Sequence, residues 1–205
     1  MPLIYHHTIN EFTKVGVWHI TEAENFFMQK VNLQRSITHP HKRLQHLAGR
    51  YILQALYPHF PTALIEIANT KKPFLADEAF HFSISHCGDY AAAIVSTKNR
   101  VGVDIEIPHP KVERIQHKFI NDVEKNLLEK IEVIHKLTMF WSIKESIFKW
   151  YGEGEVDFKK HIKIKSLKKN ESGFYAKCIF AKEKDISLKV QNITLVGNNL
   201  TWVVT

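Results

Sequence analysis

The sequence predicts an α+β fold in two successive halves, and three observations carry that expectation. Runs of alternating and of helical periodicity follow one another as strand, helices, strands, and then the same series begins again. The length of 205 residues, with 44% hydrophobic content, suits one large domain or two small ones with an ample core. A seam near residues 98–102 separates the two series, dividing the chain into 1–100 and 101–205. Charged groups lie next to that seam in both halves, and a cleft between two halves is a common place for a ligand.

In the first half, residues 15–20 read as extended. Thr21 is expected to cap a helix, because Glu24 three residues on completes a capping box. A second helix is expected from Pro40 to Tyr57, where Pro58 stops it. Leu44, Leu47, Ala48, Tyr51, Ile52 and Ala55 form its apolar stripe, and Lys42, Arg43 and Arg50 fall off that stripe onto a solvated face. From Leu64, the alternation of Ile65 and Ile67 with polar residues predicts a strand, followed by the basic loop Asn69-Thr70-Lys71-Lys72-Pro73. Strands over 80–85 and 90–96 flank His86-Cys87-Gly88-Asp89, a spacing that suits a hairpin with a glycine-containing loop. In the first of these, Phe82 and Ile84 alternate with His81, Ser83 and Ser85, leaving one face polar.

The second half opens on Val101-Gly102-Val103-Asp104-Ile105-Glu106, a short strand. Side chains two apart share a face, so Val103 and Ile105 can meet a core while Asp104 and Glu106 emerge together on the other side. Two carboxylates that close are tolerated on a solvated edge, with one of them protonated, or with a divalent cation between them. Past Pro108 and Pro110, helices are expected over 112–118, 122–131 and 134–151. On the last, Phe140, Trp141, Ile143, Ile147, Phe148, Trp150 and Tyr151 gather over one broad arc, with Lys144 inside it and Glu145 and Lys149 at its edge. A lysine on an apolar arc needs an anionic partner or a path to water. Glu145 and Lys149 also have the spacing of an ordinary helix ion pair. Gly152 and Gly154 end the helix, and 161–204 reads as four short Lys-rich antiparallel strands whose lysines serve as edge protection or as binding surface.

Twenty-eight Lys and Arg against 21 Asp and Glu give a formal charge of +7, which favours a polyanionic ligand, an acidic protein or nucleic acid. No zinc-finger, basic-zipper or RNA-binding signature is present, so a nucleic-acid partner is not expected. Two cysteines, Cys87 and Cys178, imply neither a disulfide framework nor a Cys-rich zinc site. The 13 histidines are mostly scattered, and His6, His7, His39, His41 and His46 form no metal pattern. No apolar run reaches membrane-spanning length and no signal peptide opens the chain, so the expected compartment is a reducing cytoplasm with no membrane partner.

Asp104 and Glu106 on a strand, with Lys144, Glu145 and Lys149 on a helix, suit Mg²⁺ bound to a phosphorylated substrate. Mg²⁺ takes a few carboxylates and fills its shell with phosphate oxygens and water, while lysines neutralise the remaining charge. The loop at Lys71-Lys72 and the Ser85-His86 turn add cationic or donor groups. Phosphoryl-type chemistry needs this arrangement because its catalysis is mostly positioning and charge neutralisation.

These residues resemble the 4'-phosphopantetheinyl transferase superfamily, specifically the larger, two-half type that activates surfactin synthetase and related enzymes. The resemblance rests on Gly102-Val103-Asp104-Ile105-Glu106 (GxDxE) and on Trp141-Ser142-Ile143-Lys144-Glu145-Ser146-Ile147-Phe148-Lys149 (WxxKExxxK). Phe82-Ser83-Ile84-Ser85-His86, Lys72-Pro73 and Leu47-Ala48-Gly49-Arg50 reinforce it, in family order. The motifs span residues 47–149; the ends of the chain match only in length and strand character.

The resemblance implies two similar α+β halves related by a pseudo-twofold axis, with the active site in the cleft between them and a monomeric protein. It implies transfer of the phosphopantetheine arm of coenzyme A to a serine of an apo acyl or peptidyl carrier protein, releasing adenosine 3',5'-bisphosphate. Asp104, Glu106 and Glu145 match the Mg²⁺-binding acids, and Glu145 also matches the base for the attacking hydroxyl. Lys149 and His86 match groups that hold the coenzyme A phosphates, and Lys144 matches a group that stabilises the pyrophosphate. Lys72, Ser83 and Ser85 match coenzyme contacts. The segment before the Leu-Ala-Gly-Arg helix is shorter than in the family, which leaves Arg35 and Arg43 as candidates for the 3'-phosphate. A non-catalytic module that binds coenzyme A or a carrier protein is the alternative, and the intact Asp104, Glu106, Glu145 and Lys149 argue against it.

Overall fold

Period-two stretches and one long amphipathic helix in each half build an α+β fold, seen in a computed structural model that describes residues 2–33, 36–128 and 133–205. The chain divides into two compact units, Met1–Val101 and Gly102–Thr205.

The N-terminal unit runs β1 (Leu3–Asn10), β2 (Thr13–His19), α1 (Glu24–Met28), α2 (Pro40–Leu56), β3 (Glu66–Ile67), β4 (Pro73–Phe74), β5 (His81–Cys87) and β6 (Tyr90–Ser96). Its main sheet has the order β1-β2-β6-β5, with antiparallel neighbours throughout. Sequence reading does not anticipate β1, whose outer residues His6, His7 and Thr8 are exposed and break the apolar alternation. α2 lies on this sheet through Leu47, Ala48, Ile52, Leu53 and Leu56, all at most 2% exposed. The approach is close at Gly49, where a Cβ would sit 2.6 Å from Ile84 Cγ2.

Four local expectations change. The Thr21 capping box does not form: α1 starts after Ala23 with no side-chain cap, because Glu24 is drawn to Arg43 Nε at 2.7 Å and Glu22 accepts from Trp18 Nε1 at 3.0 Å. Ala55 is exposed while Leu53 and Leu56 are buried, so the apolar stripe of α2 ends differently from the expected one. Arg50 is not on a solvated face. It is 5% exposed, with Nη1 and Nδ1 of the likewise buried His46 at 3.2 Å. The strand expected from Leu64 shrinks to the two-residue β3, preceded by a 3-10 turn at Thr62–Leu64.

The C-terminal unit contains β7 (Val101–Glu106), α3 (Lys111–Ile115), α4 (Asp122–Lys125), α5 (Val133–Tyr151), β8 (Ile162–Asn170), β9 (Gly173–Ala181), β10 (Asp185–Leu195) and β11 (Asn198–Val204). Its five-stranded sheet has the order β7-β11-β10-β9-β8, and the last four strands pair antiparallel as their alternation predicts. α5 covers one face. Leu137, Phe140, Ile143 and Ile147 are 0% exposed and belong to one cluster with Ile162, Phe180, Leu188, Val190 and Val203 of the strands. The helix expected over 122–131 is short: α4 ends at Lys125, and residues 129–131 of that expectation lie outside the described ones. Among the described residues no helix is long and apolar enough to cross a membrane.

Candidate active site

β7 lies directly against α5 because Gly102 has no side chain. A Cβ there would collide with the Ser146 carbonyl oxygen and come within 2.7 Å of the Trp150 backbone nitrogen. That contact aligns the following strand residues with one face of the helix, where Trp141, Glu145 and Lys149 recur every four residues. Val103 and Ile105 are 0% exposed, as the alternation requires. Asp104, on the opposite face, is also buried at 2%, so the pair is not a solvated edge.

Two contacts fix the carboxylates of β7. Lys149 Nζ donates to Asp104 Oδ1 at 2.6 Å, and Trp141 Nε1 donates to Glu106 Oε1 at 3.2 Å. Glu145 is half-buried on the same helix face. Its carboxyl is pushed up to about 7, first by burial and further by the negative charges of Asp104 and Glu106, while Lys149 pulls it the other way. Asp104, Glu106, Glu145 and Lys149 are thus gathered at one place. The oxygen-only donor set and the surplus of negative charge fit a hard divalent cation. Among the described residues, no three His, Cys, Asp or Glu side chains stand as a ready-made metal cage, and Asp104 spends one oxygen on Lys149.

Lys144 is placed otherwise than expected. It is 0% exposed, and Nζ donates to Glu124 Oε2 at 2.8 Å and to the carbonyl oxygens of Phe119, Phe158 and Ile162 at 2.6, 3.0 and 2.9 Å. Burial pushes its pKa down, opposed by the Glu124 charge. An ammonium with these acceptors inside the unit has no proton to offer a pyrophosphate, which overturns the expected role. The apolar arc of α5 has its anionic partner in Glu124, which sequence reading missed. Glu124 also accepts from the backbone nitrogens of Asn121 at 3.0 Å and Ile164 at 2.8 Å. The legible signal was Asn121-x-x-Glu124, which forms a complete capping box at the start of α4.

The remaining expected residues lie in the N-terminal unit. Ser83 and Ser85 are buried at 5% and 6% on β5, with His86 exposed just beyond them. Lys72 is half-buried, following Lys71, whose φ of 68° turns the chain into β4. Arg43 is held by Glu24 and by the Ile37 carbonyl oxygen at 2.8 Å. Arg35 lies outside the described residues.

The chain belongs to the 4'-phosphopantetheinyl transferase superfamily: the family model of that description matches residues 100–204, the stretch that holds both β7 and α5. Individual relatives agree. The chain is 32% identical to enterobactin synthase component D of Salmonella typhi over 117 residues, covering 55% of this chain and 49% of that protein. It is also 32% identical to the 4'-phosphopantetheinyl transferase AcpT of Escherichia coli strain K12 over 119 residues, covering 54% of this chain and 59% of that one. The chain therefore spans about half the length of the curated relatives it matches.

Proposed function

We propose that this protein transfers the 4'-phosphopantetheine arm of coenzyme A to a serine hydroxyl of an apo acyl or peptidyl carrier protein, as a transferase of the larger, two-half type. Membership of the superfamily supports the reading. The single observation that carries it is the convergence of Asp104, Glu106, Glu145 and Lys149 from β7 and one face of α5.

In this reading Asp104, Glu106 and Glu145 hold Mg²⁺, which when bound neutralises the pyrophosphate oxygens of the coenzyme. Lys149 is 25% exposed and offers its ammonium to a coenzyme phosphate. Glu145 takes the proton of the serine hydroxyl, directly or through water. The serine oxygen forms a bond to the phosphorus that bears pantetheine. The bond from that phosphorus to the bridging oxygen breaks, and adenosine 3',5'-bisphosphate leaves with the electron pair. His86, Lys72, Ser83 and Ser85 are the proposed coenzyme contacts of the N-terminal unit, with Arg43 and Arg35 for the 3'-phosphate. A cytoplasmic monomer is the corresponding proposal for compartment and state.

The test is to incubate the protein with coenzyme A, Mg²⁺ and a panel of apo acyl and peptidyl carrier proteins, then weigh the carriers. A carrier that gains the mass of one phosphopantetheine supports the reading. Unchanged masses across the panel, with coenzyme A binding intact, would leave a binding module instead.

A further inference from the structure

The outer face of the C-terminal sheet, opposite α5 at its β8 end, carries a row of cations. On β9 and β10, Lys177 and Lys189 are direct cross-strand partners. Lys177 also faces Ser166 of β8, next to Lys165, which stands in the register shift between Ile164 and Ser166. Lys165, Lys177 and Lys189 are all exposed, while the alternate residues Ile164, Cys178, Leu188 and Val190 are buried in the core. Among the described residues the structure gives these three lysines no ion pair. Like charges directly opposite on neighbouring strands repel, and edge protection alone would not place lysines across the interior strands β9 and β10.

We propose that this row is a docking face for an acidic protein segment, one that presents several carboxylates along a helix or strand. Strands lie about 4.8 Å apart, so the row covers roughly 10 Å, the reach of a few carboxylates. Lys163 and Lys168 extend the field along β8, opposite Ile179 and Tyr175 of β9, which add apolar surface beside the charge. The field is short, and its two ends are of mixed charge: Lys169 and Glu171 stand toward one, and Lys182, Glu183, Lys184 and the first residue of β10, Asp185, toward the other. A row this short, set beside the apolar Ile179 and Tyr175, matches a short acidic peptide rather than a continuous phosphate backbone, and this favours protein over nucleic acid. The proposal stands whether or not the transfer reaction takes place.

The experiment uses the full chain and two fluorescent probes, a synthetic helical peptide with glutamates along one face and a single-stranded oligonucleotide of equal charge. Anisotropy titrations compare the native protein with K165E/K177E/K189E and with K111E/K118E/K159E, which changes the net charge equally at other exposed lysines. The docking face requires peptide binding that the first variant loses by about tenfold or more and the second largely keeps, with binding weakened as NaCl rises from about 50 to 500 mM. K189E alone sets an opposite charge against Lys177, so it should raise the melting temperature while weakening the peptide, a combination that misfolding cannot produce. Equal weakening in the two triple variants, no peptide binding, or an oligonucleotide that binds these lysines more tightly than the peptide would overturn the proposal.

Discussion

Lys149 Nζ stands 2.6 Å from Asp104 Oδ1, joining α5 to β7 where the Asp104 side chain is 2% exposed and that of Lys149 25%. Removing the lysine leaves a buried carboxylate without that cation. Lys149→Met should therefore lower stability by about 1–3 kcal/mol, below the cost of breaking a fully buried pair because water still reaches the lysine. Asp104→Asn in the same background should recover part of the loss. Urea denaturation of the two single variants and the double variant measures the coupling, and additive effects would contradict it.

The Lys144–Glu124 pair is fully buried on both sides, and its groups tie α5 to α4 and to the start of β8. Lys144→Met should cost about 3–5 kcal/mol by stranding the Glu124 carboxylate, with Lys144→Met/Glu124→Gln less damaging than the single change. A variant as stable as the native protein by thermal melting would refute the structural role assigned to Lys144.

Val196 opens the two-residue turn between β10 and β11 with φ of 49°, followed by Gly197 at 78°. A β-branched residue is strained in this left-handed region, where asparagine followed by glycine is the favoured pair. The Val196 side chain is 68% exposed and so packs on little. Val196→Asn should raise stability by about 1 kcal/mol, read as a higher denaturation midpoint. A lower midpoint would show that the valine makes a contact worth more than the strain.

Burial pushes the Cys178 thiol up to about 12. The folded chain keeps this proton where an unfolded thiol, with its ordinary value near 9, gives it up. The group therefore supports the fold fully below about pH 9 and loses that contribution as pH rises toward 12. Iodoacetamide at about pH 8 should leave Cys178 unmodified in the native protein and label it in denaturant, as read by peptide mass mapping. Equal labelling in both conditions would contradict the burial.

Much of the site was legible because it is local. GxDxE and WxxKExxxK fix spacing along one strand and one helix, and the structure brings Asp104, Glu106, Glu145 and Lys149 together. What the pattern could not give was the direction of a side chain set by distant partners. Lys144 lies next to Glu145 in sequence but is captured by Glu124, 20 residues away. Arg50 likewise sits off the apolar stripe of α2, yet it is buried beside His46. β1 was missed because exposed His6 and His7 hide its alternation, and its pairing with β2 is a contact that periodicity does not encode.

In the proposed reaction Asp104, Glu106 and Glu145 share one divalent ion during transfer to a carrier serine. The mass of an apo carrier protein after incubation with coenzyme A, taken with Mg²⁺, with excess EDTA, and with Mg²⁺ restored, decides whether they do. Native protein should modify the carrier in the first and third conditions and not in the second, and Glu145→Gln should be slower by about a hundredfold or more while melting as the native protein does. Full modification in EDTA, or an unimpaired Glu145→Gln variant, would contradict the account.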